Sequence, residues 1–297
     1  MIFSGVFAAL TTPYAHDGSV SLADLKDNVH RYNQTDVAGY VAVGSTGESV
    51  LLSRAEMDGI LVTVKEAAKG KRILAGTGAE STAETIERTK RAAELGYDAA
   101  LVKTPYYYKT AYKPDVLLAH YRRVADESPI PVMLYSIPQF TGIALSSAEV
   151  AALSEHPNII GMKDSSGNVQ GVAETIAATP AKFQMLVGSA ASVYPSLAIG
   201  ARGAILALAC ALPEKCVALF ELFQQGHHEK ARELQAILVR ASKLIVSELS
   251  IAGVKYVMDQ RGYRGGIPRP PLLPLHHEQK KRLTDLLATL EPAAVRA

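Results

Sequence analysis

The chain has 297 residues, 48% apolar and 20% charged, which leaves room for one large buried core and excludes a disordered protein. Lys and Arg total 31 against 29 for Asp and Glu, so the formal net charge is only +2, and a nucleic-acid binder with a basic face is disfavoured. The two cysteines, Cys210 and Cys216, have neither CxxC nor zinc-site spacing, and no apolar stretch approaches the ~20 residues needed to cross a bilayer. The opening segment has no basic region ahead of its apolar run, as a signal peptide would. A cytoplasmic protein is expected, with neither nucleic acid nor membrane as a partner.

Short apolar runs, several of them rich in β-branched residues, recur through the first two-thirds of the chain. GVFAAL (5–10) predicts the first strand. LADLKDNVHRYNQ (22–34), with apolar residues at three- and four-residue intervals, predicts the helix after it. GYVAVG (39–44) precedes the helical RAEMDGILVTVKEAAKG (54–70), and ILAG (73–76) precedes TAETIERTKRAAELG (82–96). DAALVK (98–103) leads to KPDVLLAHYRRVADES (113–128). PVMLY (131–135), NIIGMK (158–163), FQMLVG (183–188) and GAILAL (203–208) complete a set of eight, the last lying in GARGAILALACAL, which reads as a buried strand running onward. Ser53 with Glu56, Ser81 with Glu84 and Ser146 with Glu149 have capping-box spacing, and Gly70 and Gly96 stand where helices would end.

Eight strands alternating with helices, about thirty residues apart, predict a (β/α)8 TIM barrel of the α/β class. The runs are apolar throughout, as befits parallel strands buried on both faces. A doubly wound sheet is the competing layout, weakened because no GxGxxG follows the first strand. From about residue 213 the strand signal stops. PEKCVALFELFQQG, HEKARELQAILVRASKLIVSELS, IAGVKYVMDQRG and HEQKKRLTDLLATL read as successive helices, with the proline-rich GGIPRPPLLPL before the last. The expected organisation is a barrel over 1–212 and a C-terminal helical region over 213–297 packed on it.

In such a barrel the chemistry sits at the C-terminal ends of the strands. There the sequence sets GSTGES after strand two, TPYYY after strand four, Tyr135 at the end of strand five, Lys163 at the end of strand six and Gly188-Ser189 after strand seven. A lysine at one strand end is by itself more often a solvated cap, a Ser/Gly turn a simple connector, and a tyrosine run surface packing. Their convergence on one face favours imine chemistry, in which a neutral lysine amine attacks a 2-oxo acid and the iminium becomes an electron sink. A tyrosine hydroxyl would shuttle protons, and the Gly44–Ser49 turn would offer N–H groups and hydroxyls to a carboxylate. The histidines make no cluster with carboxylates at the strand ends, so a metal-dependent aldolase is disfavoured and no metal is expected.

Taken in order, GSTGES, TPYYY, LYSIP and GMKDSSG resemble the dihydrodipicolinate synthase and N-acetylneuraminate lyase superfamily of pyruvate-dependent class I aldolases, from GVFAALTTP to RPPLLPL. The resemblance implies a TIM barrel with a C-terminal helical extension, assembled as a homotetramer or homodimer. It implies a covalent imine with pyruvate on Lys163 and no cofactor. It makes Tyr135 the proton-shuttling hydroxyl, Thr46 the bridge from it to a second tyrosine, and Tyr107 that second tyrosine, reaching into a neighbouring subunit. Ser45 and Thr46 would hold the pyruvate carboxylate, with Gly188 and Ile205 lining the pocket.

Departures from the synthase pattern choose the branch. Synthases carry an arginine a few residues after the catalytic tyrosine, and here Phe140 stands in that place, unable to make a charge-assisted bond to a carboxylate. LYSIPQFTG, HPNIIGMKDSSGNV and VMDQRGYRGG are most similar to 4-hydroxy-2-oxoglutarate aldolases, in which Ser165 would contact substrate or the catalytic hydroxyls. The reaction implied is cleavage of 4-hydroxy-2-oxoglutarate to pyruvate and glyoxylate. Condensation of pyruvate with aspartate semialdehyde, or an aldolase or dehydratase acting on another 2-oxo acid, is the alternative within the superfamily.

Overall fold

The computed structural model describes residues 2–290; the end of the expected C-terminal region, 291–297, lies outside the described residues. Eight parallel strands close into a barrel in sequence order: β1 Gly5–Ala9, β2 Gly39–Ala42, β3 Arg72–Gly76, β4 Ala99–Lys103, β5 Val132–Ser136, β6 Ile159–Asp164, β7 Gln184–Val187 and β8 Gly203–Leu206. β8 pairs back onto β1, with Phe7 opposite Ile205, so no sheet edge remains and the doubly wound alternative is excluded. Each strand falls within two residues of its expected bounds.

Alternation along the strands explains why both faces are apolar. Phe7, Val41, Leu74, Ala99, Leu101, Met133, Tyr135, Leu186 and Ile205 point into the lumen and form one buried cluster. Val6, Ala8, Tyr40, Ala42, Ile73, Ala100, Val102 and Leu134 point outward and pack under the helices.

The outer layer is α1 Leu22–Tyr32, α2 Arg54–Ala67, α3 Thr82–Glu94, α4 Pro114–Glu127, α5 Pro138–Thr141, α6 Ser147–Ser154, α7 Val169–Ala178 and α8 Val193–Ala198. Ser53–Glu56 and Ser146–Glu149 form complete capping boxes at α2 and α6. Ser81 caps α3 only by accepting from the Glu84 N–H, because the Glu84 carboxylate is taken by Arg54 and Arg88. Gly70 and Gly96 adopt φ of +80° and +76°, the left-handed backbone a helix end requires.

Beyond β8 come α9 Leu208–Ala211, α10 Pro213–Gln224, α11 His228–Ser242, α12 Ser250–Gln260 and α13 His277–Leu290. The strand expected over GAILAL, 203–208, ends at Leu206, and LACA turns into the short buried α9. The helix expected over 228–250 stops at Ser242 and widens into a π turn at Lys243–Glu248. That turn keeps Ile245 in the core, and Ser250, at φ +52°, redirects the chain into α12. Among the described residues no helix is long and apolar enough to cross a membrane.

Candidate active site

The carboxyl ends of the strands converge as the alternation requires. Lys163 closes β6 opposite Tyr135 of β5 and Leu186 of β7. It is 5% exposed and Tyr135 4%, and the lysine Nζ lies 4.3 Å from the centre of the tyrosine ring. The amine thus faces its neighbouring strand and is largely removed from solvent. Ser165, the next inward position, is buried. Its N–H donates to the Ser136 carbonyl at 2.9 Å, and its carbonyl accepts from Gln139 Nε2 at 2.7 Å, tying the β6 turn to the end of β5.

Gly188, just beyond β7, donates its N–H to the Asp164 carbonyl at 2.6 Å. A Cβ here would come within 1.8 Å of Ser165 Oγ and 3.0 Å of Lys163 Cε. Only glycine lets the Lys163 and Ser165 side chains lie against the end of β7 without displacement. Ile205 is fully buried in the same lumen cluster as Leu186 and Tyr135.

Ser45 and Thr46 are half-buried in the turn after β2. That turn is held by Gly47 N–H donating to the Gly44 carbonyl at 3.0 Å and by Thr12 Oγ1 donating to the Gly47 carbonyl at 2.7 Å. Ser45 shares a hollow of about 10 Å³ with Tyr135, so the β2 turn and the β5 end meet. Thr46 shares the turn, but among the described residues no hydrogen bond joins its hydroxyl to Tyr135. Tyr107 lies apart. It is 73% exposed, its ring meets that of Tyr108 edge-on at 5.0 Å, and its N–H donates to Glu80 Oε2 at 2.8 Å. A single chain does not bring Tyr107 to Lys163.

Two residues the sequence reading did not single out also belong to this face. Lys103 ends β4 directly opposite Tyr135 and lines the same hollow. Burial holds its ammonium below the ordinary lysine range, opposed by Glu80, whose Oε1 is 4.0 Å away, and reinforced by the like charge of Arg88. Continuing the alternation of Ala99 and Leu101 would have placed Lys103 in the lumen.

The second is Glu48, at the end of the β2 turn, which forms an ion pair of 2.6 Å with Lys255 of α12, both side chains fully buried. Glu48 Oε2 also accepts the Arg269 N–H at 2.8 Å, Lys255 donates to the Ile267 carbonyl at 2.9 Å, and the Arg269 guanidinium grips Glu56. This network fastens the turn bearing Ser45 and Thr46 to the C-terminal helices.

A cavity of about 280 Å³ opens above the hollow, its walls including Ser45, Lys103, Tyr106, Ile137 and Phe140. A larger cleft, about 850 Å³ between α3 and α4, carries none of the expected site residues, so its size does not make it the reaction site. There His120 is held neutral, its pKa pushed down to about 4 by burial.

Comparison with known proteins agrees with this geometry. The profile of the Dihydrodipicolinate synthetase family matches residues 2–290. The chain is 37% identical to a 4-hydroxy-tetrahydrodipicolinate synthase of an Exiguobacterium species, over 95% of this chain and 96% of that protein. It is 36% identical to a probable mitochondrial 4-hydroxy-2-oxoglutarate aldolase of Emericella nidulans, over 95% and 93% respectively. The crystal structure of a dihydrodipicolinate synthase from Acinetobacter baumannii, solved with pyruvate, superposes with a TM-score of 0.91 at 31% identity, covering 96% of this chain and 98% of that one. The most similar relatives are mainly synthases, and the aldolase stands at nearly the same identity, so overall similarity leaves the substrate open. What the barrel, its strand-end lysine and the end-to-end family match establish together is membership: the chain belongs to the dihydrodipicolinate synthetase family and is a carbon–carbon lyase.

Proposed function

We propose that the chain is a class I aldolase that cleaves 4-hydroxy-2-oxoglutarate to pyruvate and glyoxylate through an imine on Lys163. The observation that carries the reading is the buried Lys163 amine 4.3 Å from the Tyr135 ring, in one register layer of the barrel. Lys163 attacks the C2 carbonyl and water leaves, forming the iminium. Tyr135 takes the proton of the C4 hydroxyl, the C3–C4 bond breaks, and its electron pair enters the iminium to give an enamine as glyoxylate departs. Protonation at C3 and hydrolysis of the imine release pyruvate and restore the lysine. No metal or organic cofactor enters these steps. Ser45 and Thr46 hold the C1 carboxylate, and Ser165, Gly188 and Ile205 shape the pyruvyl pocket. Tyr107, exposed in one chain, serves the site of a neighbouring subunit in a homodimer or homotetramer.

Phe140 supports the branch. It lines the cavity above the site and offers an apolar ring where a synthase would offer arginine. The second reading, condensation of pyruvate with aspartate semialdehyde, is favoured by the synthase relative and is separated from the first by product identity. The test is borohydride reduction in the presence of pyruvate, followed by peptide mapping, beside assays of both reactions. Label on Lys163, its loss in Lys163→Ala, and pyruvate release without condensation are expected. Label on any other lysine refutes the assignment, and condensation without release refutes the branch.

A further inference from the structure

We propose that Lys103 is the residue that selects a carboxylate-bearing acceptor, holding the carboxylate of the aldehyde half of the substrate while Lys163 holds the pyruvyl half. The assignment rests on the aldolase reading above.

Register supplies the first argument. Lys103, Tyr135 and Lys163 stand opposite one another on β4, β5 and β6, so the two amines flank the tyrosine in one layer. Two strand spacings of ~4.8 Å put their Cα atoms roughly 10 Å apart, a gap that two lysine side chains and a short dicarboxylate can bridge. With Ser45 and Ser49, Lys103 also lines both the hollow at Tyr135 and the 280 Å³ cavity beside Phe140, where the second half of a substrate has to lie.

The surroundings of the ammonium supply the second. Its side chain is 12% exposed, yet among the described residues nothing accepts a hydrogen bond from Nζ. Its neighbours are the Tyr106 ring, 4.8 Å away, and Glu80 Oε1 at 4.0 Å. Glu80 spends its other oxygen on the N–H groups of Tyr106 and Tyr107. A buried cation so loosely countered lowers its free energy by taking an anion with good hydrogen-bond geometry. Gly78 makes the room, since a Cβ there would come within 2.9 Å of Lys103 Cγ and 2.6 Å of its backbone nitrogen. An ordinary structural ion pair would close to hydrogen-bond distance, and this one does not.

The experiment compares two substrates that differ only at the acceptor end. These are 4-hydroxy-2-oxoglutarate, which releases glyoxylate, and 4-hydroxy-2-oxopentanoate, which releases acetaldehyde. In Lys103→Met, kcat/KM for the dicarboxylate should fall roughly a hundredfold, mainly through KM, and that for the methyl analogue less than threefold. Lys103→Arg should retain most of the dicarboxylate activity, and pyruvate trapping on Lys163 should survive in both variants. Equal losses on the two substrates, or no loss, overturn the assignment. If Lys103→Met does not fold, the unaltered enzyme decides, because a dicarboxylate preference below threefold also overturns it. An unaltered enzyme that traps no pyruvate refutes the aldolase reading itself. One that traps pyruvate and cleaves the two substrates alike refutes only the role of Lys103, and one that traps pyruvate and cleaves neither refutes both.

Discussion

Replacing Lys255 by methionine tests whether the buried ion pair holds the β2 turn. The pair is 2.6 Å long with both side chains fully buried, and its gross attraction at an effective dielectric near 20 is about 6 kcal/mol. Most of that is offset by the cost of dehydrating two ions, so the pair itself adds little. Removing one partner is different. Lys255→Met strands the Glu48 carboxylate in the interior, and Arg269 cannot rescue it with its guanidinium, which is already bound to Glu56. The expected loss is about 3–5 kcal/mol. With ~2.1 cal/mol/K per residue of unfolding entropy over this chain, that is a fall in Tm of about 5–8 °C. The double variant Glu48→Gln with Lys255→Met removes both charges and keeps an acceptor for the Arg269 N–H, so it should lie within about 1–2 kcal/mol of the parent. Urea unfolding of the two singles and the double closes the cycle. A single substitution costing under ~1 kcal/mol, or a double as unstable as the sum of the singles, would show that Glu48 is solvated or otherwise paired and that the reasoning is wrong.

Acid stability should report the neighbouring pair. The Arg269 hydrogen bond, aided by the Ser53 cap and opposed by burial, draws the Glu56 pKa down to about 2 from its ordinary 4.5. The unfolded chain takes up this proton near 4.5 and the folded one holds out to about 2, so the contribution is full above 4.5 and is lost as pH falls through about 2. Urea midpoints across that range should decline less steeply in Arg269→Met than in the parent, and parallel declines would dismiss the pair as a source of acid sensitivity. Tyr107 calls for subunit mixing. Lys163→Ala and Tyr107→Phe chains, each nearly inactive, should regain activity when reassembled together, because some sites then combine an intact lysine with a tyrosine from the other chain. Mixtures as inactive as their components would count against a contribution across the interface.

The barrel was legible because parallel strands buried on both faces leave continuous apolar runs, and closure needs no further signal than their number and spacing. Lys163 stood out because a charge ends such a run. Lys103 ends one too, at DAALVK, and the alternation of Ala99 and Leu101 aims it at the lumen; what one segment cannot reveal is its place opposite Tyr135 of β5. The full capping box expected at Ser81 failed because Arg54, thirty residues from Glu84, competes for that carboxylate. The break after Ser242 was hidden because helical periodicity continues through the π turn. Glu48 was invisible for the same reason of distance: its partners lie on α12 and the loop after it. Gly188 could be read as part of a turn, but its closeness to Ser165 and Lys163 belongs to three dimensions.

The Glu48 network also orders events in time. Glu48 and Arg269 are 221 residues apart, so on a chain emerging from its N-terminus the turn carrying Ser45 and Thr46 appears long before the groups that fasten it. Until α12 arrives, the carboxylate has to stay hydrated, since burying it alone costs several kcal/mol. A chain cut short of Lys255 is therefore expected to keep Glu48 hydrated and the turn carrying Ser45 and Thr46 unfastened.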